Sequence, residues 1–97
     1  MIIVSQDKTE IVNFNQIESI WICPNEDGRF EIEATANTNA TLGYYDTAER
    51  AKEVLREIIN VYKFNRKEAI GQVQTIYEMP EEWLIWIIKQ ATKMSQI

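Results

Sequence analysis

Histidine is absent from this 97-residue chain. With it go the commonest general base, the commonest metal ligand and the usual partner of a nucleophilic serine or cysteine. The single cysteine, Cys23, cannot close an intramolecular disulfide, and it sits in an apolar stretch without a neighbouring base to lower its pKa. A buried structural thiol is therefore expected rather than a nucleophile. Three glycines, Gly28, Gly43 and Gly71, are too scattered to form a phosphate-cradling loop, which leaves nucleotide binding unsupported. No basic segment followed by a hydrophobic stretch and a cleavage site opens the sequence, so the cytoplasm is the expected compartment. Asn39-Ala40-Thr41 then reads as a chance match to a glycosylation sequon. The longest apolar run, Trp83 to Ile88, is far shorter than the roughly 20 residues that span a bilayer, and no membrane association is expected.

Positive charge is also scarce. The formal net charge is −5, and residues 1 to 40 hold seven acids against Lys8 and Arg29 alone. Nucleic acids bind mainly through Lys and Arg neutralising phosphates, so a nucleic-acid partner is disfavoured, whereas an acidic face suits a basic protein. A hydrophobic share of 45% and a charged share of 26% are those of a globular chain, and the length fits one domain over residues 1–97.

The first half, residues 1–45, predicts a meander of short antiparallel strands at Ile2 to Val4, Ile11 to Phe14, Ile17 to Cys23, Phe30 to Ala36 and Ala40 to Tyr45. FEIEATA alternates most cleanly, with Phe30, Ile32, Ala34 and Ala36 on one face and Glu31, Glu33 and Thr35 on the other. Pro24 to Arg29 contains an Asp-Gly pair and marks a hairpin, because glycine takes the positive φ of tight turns. Asn37-Thr38-Asn39 marks a second turn.

A helix is predicted over 46–64, with Asp46 as its cap and Glu49 completing a capping box. Ala51, Val54, Leu55, Ile58, Ile59 and Tyr62 form its apolar stripe, which should lie on the sheet. Lys63 to Gln72 is the most loop-like stretch, and a further strand is expected over 73–79. Pro80 at the first helical position, followed by Glu81 and Glu82 near the positive end of the dipole, opens a C-terminal apolar helix over 80–95. At about 100° per residue, Trp83, Leu84, Trp86, Ile87, Ile88, Ala91 and Met94 cover an arc of about 200°, with Ile85 opposite. Such an arc asks for cover on more than one side, either as a second core helix packed on the sheet beside the first or at an isologous dimer or partner interface, since Ile85 needs burial too. The fold expected is thus α+β: an antiparallel meander of five to six strands, packed by one amphipathic helix, plus a C-terminal apolar helix.

Glu31 and Glu33 share a strand face, with Glu18 placed to join them from another strand; such carboxylates can bind a hard cation or share acid and base roles. No oxygen-ligand spacing accompanies them, so a solvated sheet face is the plainer reading. The tyrosines Tyr44, Tyr45, Tyr62 and Tyr77 and Phe64, near Lys63, Arg66 and Lys67, suit a hydrophobic core better than base stacking, given the acid excess.

The segments MIIVSQDK, LGYYDTAERAKEVLREI and YEMPEE resemble those of uncharacterised small bacterial and prophage-type proteins. The resemblance covers most of residues 1 to 82 and implies an opening strand, a strand leading into a capped helix, and a closing strand. It implies no activity, cofactor or catalytic residue. Taken together, the sequence predicts no catalytic, cofactor or metal site, and a small non-catalytic interaction module forming a homo-oligomer or docking on a protein partner through Trp83, Ile85, Trp86 and Ile87. The alternatives are an acidic nucleic-acid mimic, with Glu18, Glu26, Asp27, Glu31 and Glu33 presented to a basic enzyme, and a carboxylate-based metal-dependent enzyme.

Overall fold

The alternation of FEIEATA places Ile32 and Ala34 in the interior, 0% and 1% exposed, while Glu31 and Glu33 stay on the wetter face. Around this strand the computed structural model, which describes residues 1–68 and 75–82, builds an α+β fold of two three-stranded sheets and one helix. The first sheet has the order β2 (Ile11–Asn13), β1 (Ile2–Val4), β6 (Ile76–Glu78), and the second β3 (Ser19–Pro24), β4 (Phe30–Ala36), β5 (Thr38–Tyr45). Helix α1 spans Ala48–Glu68.

The single antiparallel meander is thereby corrected. After β2 the backbone winds into a 3-10 turn, Phe14–Gln16, capped by the Asn13 side chain, which accepts from the Asn15 N–H at 3.0 Å. That turn redirects the chain, so β2 and β3 do not pair. Strand β1 is apolar at all three positions, the composition of a central strand, and it takes β2 antiparallel on one side and β6 parallel on the other. The strand expected over 73–79 is realised as Ile76–Glu78, residues 73 and 74 lying outside the described part.

The second sheet follows expectation more closely. Its β3–β4 turn is held by the Asn25 side chain, which accepts from Asp27 and Arg29 N–H at 3.0 and 2.9 Å, and Gly28 sits at φ +80°. A Cβ on Gly28 meets nothing within 4 Å, so Gly28→Ala isolates the backbone cost of a left-handed residue. The expected loss is about 1 kcal/mol, read as a lower urea midpoint at unchanged m; a neutral result would mean that the turn relaxes to another conformation. At the other turn Asn37, at φ 71°, is the lone residue between the paired Ala36 and Thr38.

Strand β5 carries one extra residue: Glu33 pairs with Thr41 but Ile32 with Gly43, which leaves Leu42 as a bulge. The bulge resets the alternation, so Leu42 and Tyr45 are both buried, at 1% and 0% exposure. Helix α1 covers this face with Ala51, Val54 and Ile58, and Ile3, Met1, Tyr77 and Met79 close the core from the first sheet. Of the predicted stripe, Ile59 is 42% exposed, and Val61 packs on the core edge where the helix turns past it.

The helix begins one residue later than the predicted cap. Thr47, not Asp46, caps it: its hydroxyl accepts from the Arg50 N–H at 3.0 Å, and its carbonyl takes the first helical bond, from Ala51. Asp46 instead pairs with Arg29 at 3.3 Å. The helix also continues through Lys63–Glu68, part of the stretch read as a loop. Residues 80–82 are not helical, and the remainder of the predicted C-terminal helix, with Trp83, Ile85, Trp86 and Ile87, lies outside the described residues.

Candidate interaction surface

Gln6 ties the two sheets together. Its N–H donates to the Leu42 carbonyl at 2.7 Å, and its side-chain amide copies a strand, with Oε1 accepting from the Tyr44 N–H at 2.8 Å and Nε2 donating to the Tyr44 carbonyl at 3.0 Å. The Pro80 carbonyl accepts from both Gln6 Nε2, at 3.2 Å, and the Tyr45 hydroxyl, at 2.8 Å. One position on from Glu81, Glu82 is 4% exposed, and its carboxylate accepts from the Asp46 N–H at 2.6 Å, just ahead of the positive end of α1. The Glu82 carboxylate thereby holds the chain two positions ahead of α1, at the residue before the Thr47 cap. Burial pushes the phenols of Tyr45 and Tyr77 well above the usual tyrosine range, Tyr77 being raised further by its donation to the Glu57 carboxylate at 2.9 Å. Both remain neutral donors, and their hydroxyls are engaged in fastening residues 77–80.

The hairpin joining β1 to β2 is a second fully engaged cluster. One Asp7 carboxylate oxygen accepts from the Thr9 hydroxyl at 2.7 Å, the Ser5 hydroxyl at 2.8 Å and the Thr9 N–H at 3.0 Å, and these bonds hold its pKa below the ordinary value. Every donor here closes the turn.

Carboxylates do not converge. Glu31 and Glu33 share the outer face of β4, where Glu31 lies between Cys23 and Tyr44, and Glu33 between Trp21 and Thr41. Glu18 precedes β3 and falls on the opposite alternation, while Glu26 and Asp27 stand at the far hairpin turn. Among the described residues no three Asp, Glu or Cys side chains gather closely enough to hold a metal ion. Cys23, expected in the core, is half-exposed on this outer face, because β3 alternates Ile20 and Ile22 inward and Trp21 and Cys23 outward. Of the five aromatics assigned to the core, Tyr45 and Tyr77 are buried and Tyr62 stacks at a tilt on Phe14, 4.6 Å between centroids. Tyr44 and Phe64 are exposed, at 39% and 67%.

A cleft of about 350 Å³ opens between β2 and the tip of the β4–β5 hairpin, with Glu10, Asn13 and Gln16 on one wall and Ala34, Ala36 and Asn39 on the other. Its single charged group, Glu10, shares the lining with no second acid and no base, and the one hydroxyl there is that of Thr38. The cleft presents small and amide side chains and no reactive constellation.

The first sheet offers a different surface. Ile3, Val12 and Tyr77 are one register row and face the core, so the flanking rows, Asn13–Ile2–Ile76 and Ile11–Val4–Glu78, point the other way. This outer face is therefore built largely of Ile2, Val4, Ile11 and Ile76, with Ile11 71% and Ile76 64% exposed. Lys8 and Glu78 pair across its rim at 3.8 Å. No family model, curated protein or solved structure matches this chain. The resemblance to prophage-type proteins accordingly adds nothing to the site, and the surfaces must be read from their own chemistry.

Sequence reasoning passed over the apolar outer face. Part of its signal was present, since Ile2-Ile3-Val4 is apolar on both alternations, but that Ile11 and Ile76 flank it follows from the register. Among the described residues no helix is long and apolar enough to cross a membrane.

Proposed function

We propose that this chain is a small non-catalytic protein-interaction module that docks through its C-terminal apolar segment, with Trp83, Ile85, Trp86 and Ile87 as the contact residues. The observation that supports the reading is the six-residue apolar run Trp83 to Ile88 with its two tryptophans, whose predicted arc is wider than one contact face can cover. Exposed apolar patches rimmed by polar groups are the usual mark of contact sites, and tryptophan is enriched among interface anchors. The described polar clusters, by contrast, are occupied in holding turns and chain ends.

A solution mass above that of the monomer at micromolar concentration is the expected result for the unmodified chain, or capture of a specific protein partner. Trp86→Glu is expected to lower that mass or abolish capture, measured by light scattering coupled to size-exclusion chromatography. A monomer that binds nothing would sink the reading. The acidic-mimic alternative has thinner support, since only Glu31 and Glu33 of its five carboxylates share a face, and the metal-dependent enzyme has no gathered ligand set among the described residues.

A further inference from the structure

We infer that the apolar outer face of the first sheet is the seat of this chain's own residues 83–97, docked within the same molecule. The face exists because β1 is apolar on both sides: Ile2, Val4, Ile11 and Ile76 turn away from the core that Ile3, Val12 and Tyr77 enter. With Ile11 71% and Ile76 64% exposed and Ile2 and Val4 partly covered, the patch offers accessible surface on the order of a few hundred Å². A stable contact between two separate proteins needs about 800 Å² on each, so a second copy meeting this patch alone falls well short. A segment tethered to the same chain does not lose a second set of translational and rotational freedom, and a small patch suffices for it.

The point at which the described chain ends fits this occupant. Met79 is still bonded to β1, its N–H on the Val4 carbonyl at 3.0 Å, and Glu82 is fixed on the Asp46 N–H. Residue 83 therefore starts no more than about 18 Å along the chain from Glu78, which lies on the rim of the face itself. The helix that the sequence predicts after Pro80 would, over residues 83–97, be about 22 Å long, enough to recross the patch. Residues 83–97 hold Lys89 and Lys93 and no acid, and the rim of the face carries Glu78, paired with Lys8 at 3.8 Å. An apolar arc of about 200° is wider than three strands can cover, so seating the segment leaves apolar surface for the partner proposed above.

The test is isotope-filtered NMR on the full chain, which looks for contacts between the methyl groups of Ile11 or Ile76 and the indole rings of Trp83 or Trp86. Contacts within one molecule, persisting on dilution, are expected. Contacts found only between differently labelled molecules would overturn the inference in favour of a second copy, and a lack of contacts would overturn it outright. As a functional counterpart, Ile76→Glu should speed tryptic cleavage after Lys89 and Lys93 by about tenfold while cleavage after Arg50 and Lys52 stays unchanged. Unchanged rates after Lys89 and Lys93 would also refute it; if cleavage in α1 rises in parallel, the contacts in the unmodified chain decide. Because these readouts need no partner, they separate failure of the seat from failure of the interaction reading.

Discussion

Ile3→Ala is expected to destabilise the protein by about 3–4 kcal/mol, measured as a fall in the urea midpoint with little change in m. Ile3 is 0% exposed and occupies the middle of the central strand of its sheet, between Val12 and Tyr77. It belongs to one buried cluster that draws on Ile32 and Leu42 of the second sheet, Val54 and Ile58 of α1, and Met1 and Met79. A wall built from separate elements cannot collapse evenly onto the vacated space, so the loss should include a cavity contribution as well as the transfer of the removed methyl groups. Against the roughly 5–15 kcal/mol that a domain of this kind possesses, such a change is a large share. A loss below about 1 kcal/mol would show that the first sheet is not packed on the core as described.

Tyr45→Ala should cost a comparable amount, about 3–5 kcal/mol, and Tyr45→Phe about 1 kcal/mol. The two variants divide the residue's contribution. The ring is wholly buried, with the Arg50 guanidinium 5.9 Å above its centroid, and a Cβ on Gly43 would lie 3.0 Å from the hydroxyl, so the ring fills space that only a glycine leaves open. The hydroxyl donates to the Pro80 carbonyl, which keeps a second donor in Gln6, so its removal should not orphan the acceptor. Differential scanning calorimetry checks both variants; a phenylalanine variant as damaging as alanine would mean that the hydrogen bond, not the packing, carries the site.

What could be read in advance was whatever a local period encodes. The two-residue rhythm of FEIEATA, the Asp-Gly turn and the recurrence of Ala51, Val54 and Ile58 each depend on neighbours within a few positions, and each is found in the fold. Long-range choices were not legible. Asp46 and Thr47 are both good caps, and what separates them is a guanidinium 17 positions earlier, Arg29, and a carboxylate 36 positions later, Glu82. Glu81 and Glu82 after a proline look like the head of a helix, and nothing local to them announces that Glu82 bonds the N–H of Asp46, 36 positions earlier. The bulge at Leu42 likewise follows from the fit between strands and leaves no trace in composition. Of the candidate contact residues, Trp83, Ile85, Trp86 and Ile87 came from the sequence alone, whereas the outer face of the first sheet needed the register of β1 with β2 and β6.

That parallel partnership between β1 and β6 sets a schedule for synthesis. Ile2 pairs with Ile76, 74 positions later, so of the six strands described β1 is made first and is the last to have both of its ladders filled. At about 5–20 residues per second, β1 waits several seconds with one edge open, while the β3–β4–β5 hairpins and α1 can form from contiguous sequence. During that interval Ile2, Ile3 and Val4 are a short sticky strand, and its short length of three residues limits what a stray partner can grip.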